Sequence, residues 1–438
     1  VGFKVGLLGL GTVGTGVGQV FLDKVGRHPL LQVTELHRVG LRSLNKTRTI
    51  PLPPDCLTTD LQSIVRDPEV DIVVEVIGGL EPARSLILEA IAHSKHVVTA
   101  NKAVISRYGD EIFTAANAAG VYVMIEAAVA GGIPVIQPMK QSLGANRIDS
   151  VIGILNGTTN YILTQMQQSG RDFAEILADA QRLGYAEADP TADVDGLDAG
   201  DKIAILASLA FDGRIKLDEV HREGIRNVSA SDINYADKLG FVIKLLAIAK
   251  RSKLAGTDDQ APLQVRVNAT LVPKSHPLAS VNDVHNAILI EGEPLGQVMF
   301  YGPGAGAGPT ASAVVSDIIN VVALIQAGDH LSEAAAMHPL LTCSHHSYNQ
   351  IEPMAELVTR FYVRFLTQDH PGVIGHLGMC FGTHGVSLES LVQTGFQGNL
   401  AEIVVVTHEV REGDFRQALQ EIAALEAVDS IPSILRVL

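Results

Sequence analysis

Four short apolar runs, FKVGLLGL, VDIVVEVIG, KHVVTA and VYVMIEAAV, punctuate residues 3 to 135, with helix-like stretches between them. Runs of this kind, rich in Val and Ile and without polar alternation, are the pattern of strands covered on both faces. They predict an α/β fold whose residues 1–135 form a doubly wound, Rossmann-type domain. Between 136 and 301 the pattern mixes. RIDSVIGIL and LQVRVNATLVP read as strands, FAEILADAQRLG and INYADKLGFVIKLLAIAKR as helices, and together they predict an α+β substrate and oligomerisation domain. GPGAGAGPTASAVVSDIINVVALI, residues 302–325, is a glycine loop opening into an apolar helix. No strand-helix-strand unit follows, so residues 302–327 read as the chain returning to the first domain, or as a helix capped by Thr310 or Ser312.

Residues 328–357 are polar and His-rich, carry Pro339 and Pro353, and read as a linker. Adjacent His345 and His346 invite a metal reading, but neighbouring histidines in such a segment are more commonly solvated. From 358 onward the order is LVTRFYVRFLTQ, a DHPG turn, VIGHLGMCFGTHG, VSLESLVQTG, AEIVVVTHEV, DFRQALQEIAALEAV and IPSILRVL. That is strand-helix-strand-strand-helix-strand in about 80 residues, a ferredoxin-like order.

Composition narrows the class. A chain of 438 residues suggests about two to four domains. A hydrophobic content of 47% excludes disorder, and no apolar run reaches membrane-span length. No signal peptide is visible, so a cytoplasmic location without membrane partners is expected. The net charge of -15 argues against a nucleic-acid partner. Cys56, Cys343 and Cys380 form no C-x-x-C pair and suit a reducing compartment.

The chemistry begins at GLGTVGTG, where Gly9, Gly11 and Gly14 follow the first apolar run. A strand ending in such a turn brings backbone N–H groups and a helix N-terminus against a pyrophosphate. An NAD-preferring site usually carries an acid at the end of the second strand. Here VTELHRVGLRS ends in Arg42 and Ser43, with Lys46 and Arg48 beyond. Cations at that place suit the 2'-phosphate of NADP, with NAD still possible and a solvated basic loop as the plain alternative. Further along, GYAEADPTADVDGLDAGDK crowds Glu187, Asp189, Asp193, Asp195, Asp198 and Asp201 ahead of Lys202. A calcium loop fails on register. The segment runs into an apolar helix, which puts Asp198 and Lys202 one turn apart, either as a surface ion pair or as a positioned proton donor. Lys102, in VVTANKAVIS, follows a strand on the side where doubly wound folds bind ligands.

Taken in order, GLGTVG, TANK, EAAVAGGIP, NGTTNYIL, GYAEADPTADVDGLDAGDK and GPGAGAGPTASAVVSDI resemble the homoserine dehydrogenase family, over the whole chain. The resemblance implies NAD(P)-dependent interconversion of L-aspartate 4-semialdehyde and L-homoserine, on the way to threonine, isoleucine and methionine. By position it makes Lys202 the proton donor, oriented by Asp198, and puts Lys102 near the reacting centre. Glu187 would bind the substrate ammonium, with Thr158, Tyr185 and Asp193 lining the pocket. Gly9, Gly11, Thr12, Val13, Gly14, Arg42, Thr99, Lys102, Gly184 and Gly304 would contact the coenzyme. It further implies a monovalent cation, sodium, held by the Glu126 carboxylate and the carbonyls of Val129, Gly131 and Ile133. Ala130 stands where that family generally has glycine, and Ser43 where it commonly has an acid. The C-terminal module resembles an ACT domain, whose first loop carries Asp369 and Gly372; threonine is the implied effector, and a homodimer or homotetramer the implied assembly. Aspartate-semialdehyde dehydrogenase, a rival, needs a thiolate nucleophile, and no cysteine here sits in a suitable motif. A silent amino-acid sensor is the other rival; Lys102, Asp198 and Lys202 argue against it.

Overall fold

The computed structural model describes residues 2–45, 48–252, 261–328, 337–343 and 347–438, so Lys46, His345 and His346 lie outside the described residues. Val1–Ile148, Ala204–Leu217 and Ile290–Tyr348 form one compact unit; Asp149–Ile203, Asp218–Leu289 and Asn349–Leu438 form a second.

The first unit holds β1 (Phe3–Leu8), β2 (Thr34–Gly40), β3 (Leu57–Thr58), β4 (Ile72–Glu75), β5 (His96–Thr99) and β6 (Val123–Met124), all parallel, in the order β3-β2-β1-β4-β5-β6. Strand order reverses between β1 and β4, the place where open α/β sheets bind ligands beyond their carboxyl ends. Val5, Leu7, Ile72, Val74 and Val98 meet Val17 and Phe21 of the Thr12–Leu22 helix, and Val314, Ile318 and Val322 of the Ala307–Gly328 helix. Among the described residues, this last helix is long and apolar enough by composition to cross a membrane, with mean hydropathy 1.6 over a window that is 50% buried in the protein. Scanning for unbroken runs overlooks it because Ser312, Ser316, Asp317 and Asn320 interrupt the apolar stretch. Its apolar face belongs to a protein core.

The second unit's sheet comprises β7 (Arg147–Ile154), β9 (Phe241–Arg251), β10 (Leu263–Pro273) and β11 (His285–Glu293), with β8 (His221–Arg222) beside β10; β12 (Gly296–Pro303) falls in the first unit. The C-terminal module adds β13 (Val358–Gln368), β14 (Leu388–Gln397), β15 (Leu400–Thr407), β16 (Val410–Arg411) and β17 (Val428–Val437). Its order β17-β13-β15-β14, with the Val373–Thr383 and Glu412–Ala423 helices between strands, is the expected ferredoxin-like arrangement. Phe361 and Phe415 stack at 4.0 Å in its core. Strand β17 also pairs with β10, through Thr270 with Arg436 and Leu271 with Val437, so the module extends the same sheet.

Two predicted elements differ. INYADKLGFVIKLLAIAKR is half helix, Ala230–Lys238, and half strand, β9, with Gly240 at φ 85° between them. Residues 242–249 of β9 are all buried, and a strand covered on both faces loses the alternation that would mark it. VYVMIEAAV is strand only over Val123–Met124, then a 3-10 turn over Glu126–Ala128. The described parts of 328–357 are docked: Lys140 Nζ donates to Leu341 O at 2.8 Å, and Leu263 N to Gln350 O at 2.8 Å.

Strand β5 carries a pH-sensitive contact. His96 Nδ1 accepts the Tyr122 backbone N–H at 3.0 Å, and burial lowers its pKa from 6.5 to about 4. As pH falls below 6.5, the unfolded chain takes up a proton that the native imidazole refuses, so stability present above 6.5 is lost down to about 4. Urea unfolding at stepped pH should show this loss in the wild type and a weaker one in His96→Asn, which keeps an acceptor; identical pH profiles would contradict the assignment.

Candidate active site

The coenzyme side is built at the carboxyl ends of β1, β4 and β5. Gly9 has φ 106°, and a Cβ there would lie 2.9 Å from Val76 O; one on Gly14 would lie 2.1 Å from Gly9 O. Both close approaches exclude any side chain. Gly11 caps the Thr12–Leu22 helix without a side-chain bond, so no cap side chain takes up the first N–H groups, the kind of helix start that suits a phosphate. Arg42 is exposed two residues past β2, and Arg48 folds over the same loop, donating to Ser43 O at 2.5 Å.

Glu75, fully buried at the end of β4, was not singled out from sequence. Its carboxylate accepts from Ile77 N at 2.8 Å, Gly78 N at 3.3 Å and Thr99 Oγ1 at 2.6 Å. Asn101 then donates to Gly79 O at 2.8 Å and caps the Lys102–Ala119 helix. These bonds tie the loops after β4 and β5 together and fix Lys102 at the first position of its helix.

Glu126 is 3% exposed and accepts from Val135 N, Ile136 N and Gln137 N at 2.6, 2.8 and 2.8 Å. Burial pushes its pKa up, and the three N–H donors oppose that. Asp317 Oδ2 accepts Glu126 N at 2.8 Å, while its Oδ1 is buried without a partner. Burial and the neighbouring Glu126 raise the Asp317 pKa well above its ordinary value. Ala130 has φ 53° and Gly131 φ 33°. A left-handed alanine costs roughly 1–2 kcal/mol, the consequence of the departure from glycine noted above. A Cβ on Gly131 would meet Gly304 O at 2.8 Å, which sets the loop carrying Val129, Gly131 and Ile133 against the 302–306 glycine loop. The Glu126 carboxylate and the carbonyls of this loop are oxygen donors, the kind that suit a hard monovalent ion.

The substrate side lies in the second unit. Asp198 and Lys202 share a face of the Leu197–Ala210 helix, with Lys202 Nζ 2.7 Å from Asp198 Oδ2 and 2.6 Å from Leu155 O. They are 9% and 8% exposed, which rules out the surface-pair reading. Two ammonium hydrogens are engaged, leaving the third for an acceptor. Asn156, which falls in NGTTNYIL without being singled out there, is a second residue that sequence reasoning missed. Its Nδ2 donates to Asp193 Oδ1 at 2.6 Å and Asp198 Oδ2 at 2.9 Å, and its Oδ1 caps the Gly157–Ser169 helix at Thr159 N. A side-chain acceptor just before a helix was the available signal. Burial raises the Asp193 pKa, assisted by Asp198 and opposed by hydrogen bonds from Asn156 and Thr158.

The fold sorts the six acids. Asp193, Asp198 and Asp201 lie in partly or fully buried positions, Asp195 pairs with Arg226, Asp189 holds Thr191 N, and Glu187 is exposed. Thr158 Oγ1 donates to Tyr185 O at 2.8 Å; Tyr185 is 47% exposed and Gly184 ends the preceding helix at φ 80°. In the C-terminal module, Asp369 and Gly372 line a surface cavity of about 380 Å³. Cys56, Cys343 and Cys380 are buried free thiols, and burial raises the pKa of Cys56 and Cys380, so neither is an activated nucleophile.

A Rossmann-type sheet with this glycine turn, together with a buried lysine-carboxylate pair, fits an NAD(P)-dependent oxidoreductase. Residues 9–126 match the family described as homoserine dehydrogenase, NAD binding domain; residues 134–319 match homoserine dehydrogenase, and 361–427 the ACT domain. The homoserine dehydrogenase of Synechocystis sp. is 67% identical over 435 residues, covering 99% of both chains. That of Bacillus subtilis is 39% identical, covering 99% of this chain and 98% of its own. The crystal structure of a homoserine dehydrogenase from Thiobacillus denitrificans superposes with a TM-score of 0.90 at 40% identity, covering 100% of this chain and 98% of that one. The chain belongs to the homoserine dehydrogenase family.

Asn156→Ala should lower kcat by roughly a hundredfold while circular dichroism stays native, because the two carboxylates beside Lys202 lose their common donor. Unchanged turnover would remove Asn156 from the site.

Proposed function

We propose that Lys202 is the proton donor in reduction of L-aspartate 4-semialdehyde to L-homoserine. A nicotinamide coenzyme, when bound, would supply the hydride. As the carbonyl oxygen gains charge, the proton of the third N–H of Lys202 passes to it, and Asp198 holds Nζ in place for that transfer. The observation that carries this reading is the buried Lys202–Asp198 pair, with Leu155 O and Asn156 completing its bonds. Asp193, Thr158 and Tyr185 line the substrate pocket, and exposed Glu187 receives the substrate ammonium. Lys102 assists at the reacting centre.

For the coenzyme we favour NADP, with the 2'-phosphate on Arg42 and the pyrophosphate at Gly9, Gly11 and Gly14; Thr99, Gly184 and Gly304 complete that site. A sodium ion at Glu126, Val129, Gly131 and Ile133 would order the loop between β6 and the following helix. Threonine at the Asp369–Gly372 loop is the assigned effector, and pairing of ACT modules into a homodimer or homotetramer the assigned assembly. Buried free thiols suit a cytoplasmic enzyme.

Lys202→Ala should bind NADPH normally yet lose turnover by about a thousandfold, read by coenzyme fluorescence titration alongside steady-state oxidation of NADPH. Near-normal kcat would refute the proton-donor role. Arg42→Ala should raise KM for NADPH with little change for NADH; equal effects would remove the 2'-phosphate assignment.

A further inference from the structure

A crevice of about 480 Å³ in the second unit opens over the polar face of β10, where Gln264, Arg266, Asn268 and Thr270 alternate along the strand. None of its lining residues belongs to the substrate side or to the first loop of the ACT module. Arg266 is 8% exposed, and among the described residues its one hydrogen bond runs from Nη1 to Gln264 Oε1 at 3.3 Å. Its Nε is buried with no partner, and so is Oδ1 of fully buried Asn268, two residues along the same face. Of the charged groups nearby, Glu352 accepts from Ser252 Oγ and Gln264 Nε2 at 2.7 Å each and makes no bond to Arg266. Arg436 is held by Glu412 and Glu223, Arg360 by Glu389, and Glu356 by Arg411. A buried guanidinium with one neutral partner is costly unless an anion meets it, and the Nε–Nη2 edge is the geometry that grips two oxygens of a carboxylate or phosphate.

We propose that this crevice is a second small-molecule site, binding an oxyanion that also carries a hydrogen-bond donor. The oxygens lie on the Nε–Nη2 edge of Arg266 and the donor on Asn268 Oδ1. Two classes of ligand share this chemistry, a protonated phosphate and an α-amino carboxylate.

Calorimetric titration of the full chain, with NADP and L-homoserine saturating so that their sites are filled, separates the classes: inorganic phosphate represents the first, glycine the second, and acetate an oxyanion without the donor. Saturable binding of phosphate or glycine is expected, with acetate weaker. Arg266→Met should weaken it by roughly tenfold or more, and Arg266→Lys, which keeps charge but loses the fork, by less. Both variants should retain the wild-type melting temperature within a few degrees, since each relieves or preserves an unmatched charge. The proposal is overturned if neither phosphate nor glycine binds the folded wild type, if Arg266→Met binds as well as wild type, or if a second copy of the chain sets a carboxylate on Arg266.

Discussion

Burial of the Lys202–Asp198 pair is the constraint on which the substrate side depends. Taking two charges out of water costs several kcal/mol per ion, and their attraction offsets this only when the remaining lone pairs and protons are bonded. Leu155 O and Asn156 do this, and both come from the chain just past β7. A strand end, a helix cap and a helix face are thereby held to within hydrogen-bond tolerance. The same arrangement engages two of the three Lys202 ammonium hydrogens, so the bonds that stabilise the buried pair also fix the direction of the third.

The loop beside that pair is braced from the C-terminal module. Ile225 N donates to Val194 O at 2.8 Å, and Glu223 N to Val267 O at 2.8 Å, which fixes the 223–225 segment between the substrate loop and β10. Arg436 of β17 then holds the Glu223 carboxylate at 2.7 Å. Burial opposes ionisation of Glu223, but His221 and Arg436 outweigh it and bring the pKa down to about 2. A second junction lies at Arg364 of β13, which donates to Asp232 at 2.8 Å, Glu402 at 2.9 Å and Ser229 at 3.0 Å, while Tyr362 adds its hydroxyl to Asp232. Ser229 and Asp232 form the capping box of the Ala230–Lys238 helix, which packs on the helix that Asn156 caps. Contiguity of this kind is a route for regulation; energetic coupling requires two arrangements of these contacts with different effector affinity.

What was legible in the sequence follows a physical division. Short β-branched runs ending in glycine turns announced the first sheet, because parallel strands buried on both faces have few other solutions. The ferredoxin-like module was legible for the same reason, each strand being bounded by a turn. Strand β9 was not, since burial on both faces removed its alternation and left Leu, Ala and Lys to suggest a helix. Within the site, residue types of unusual density drew attention, as with the six acids, but density does not say which of them turn inward. Glu75, Asn101 and Asn156 gave weak signals because their importance lies in bonds to backbone groups brought near by the fold.

Those three residues share a logic with Glu126. A buried carboxylate or amide hydrogen-bonded to the backbone fixes the path of a loop more firmly than apolar packing does, because each lost bond would strand a polar group. Glu75 fixes the turns after β4 and β5, Asn156 the turn after β7, and Glu126 the segment that follows β6. Each stands where a strand ends and a ligand-facing loop begins. Asp317 shows the limit of the device: Oδ2 accepts Glu126 N, Oδ1 is buried without a partner among the described residues, and burial beside Glu126 raises its pKa well above the ordinary value. Two adjacent acids in one apolar setting are therefore unequally supported: burial raises the pKa of both, with three backbone N–H donors opposing the rise at Glu126 and one at Asp317.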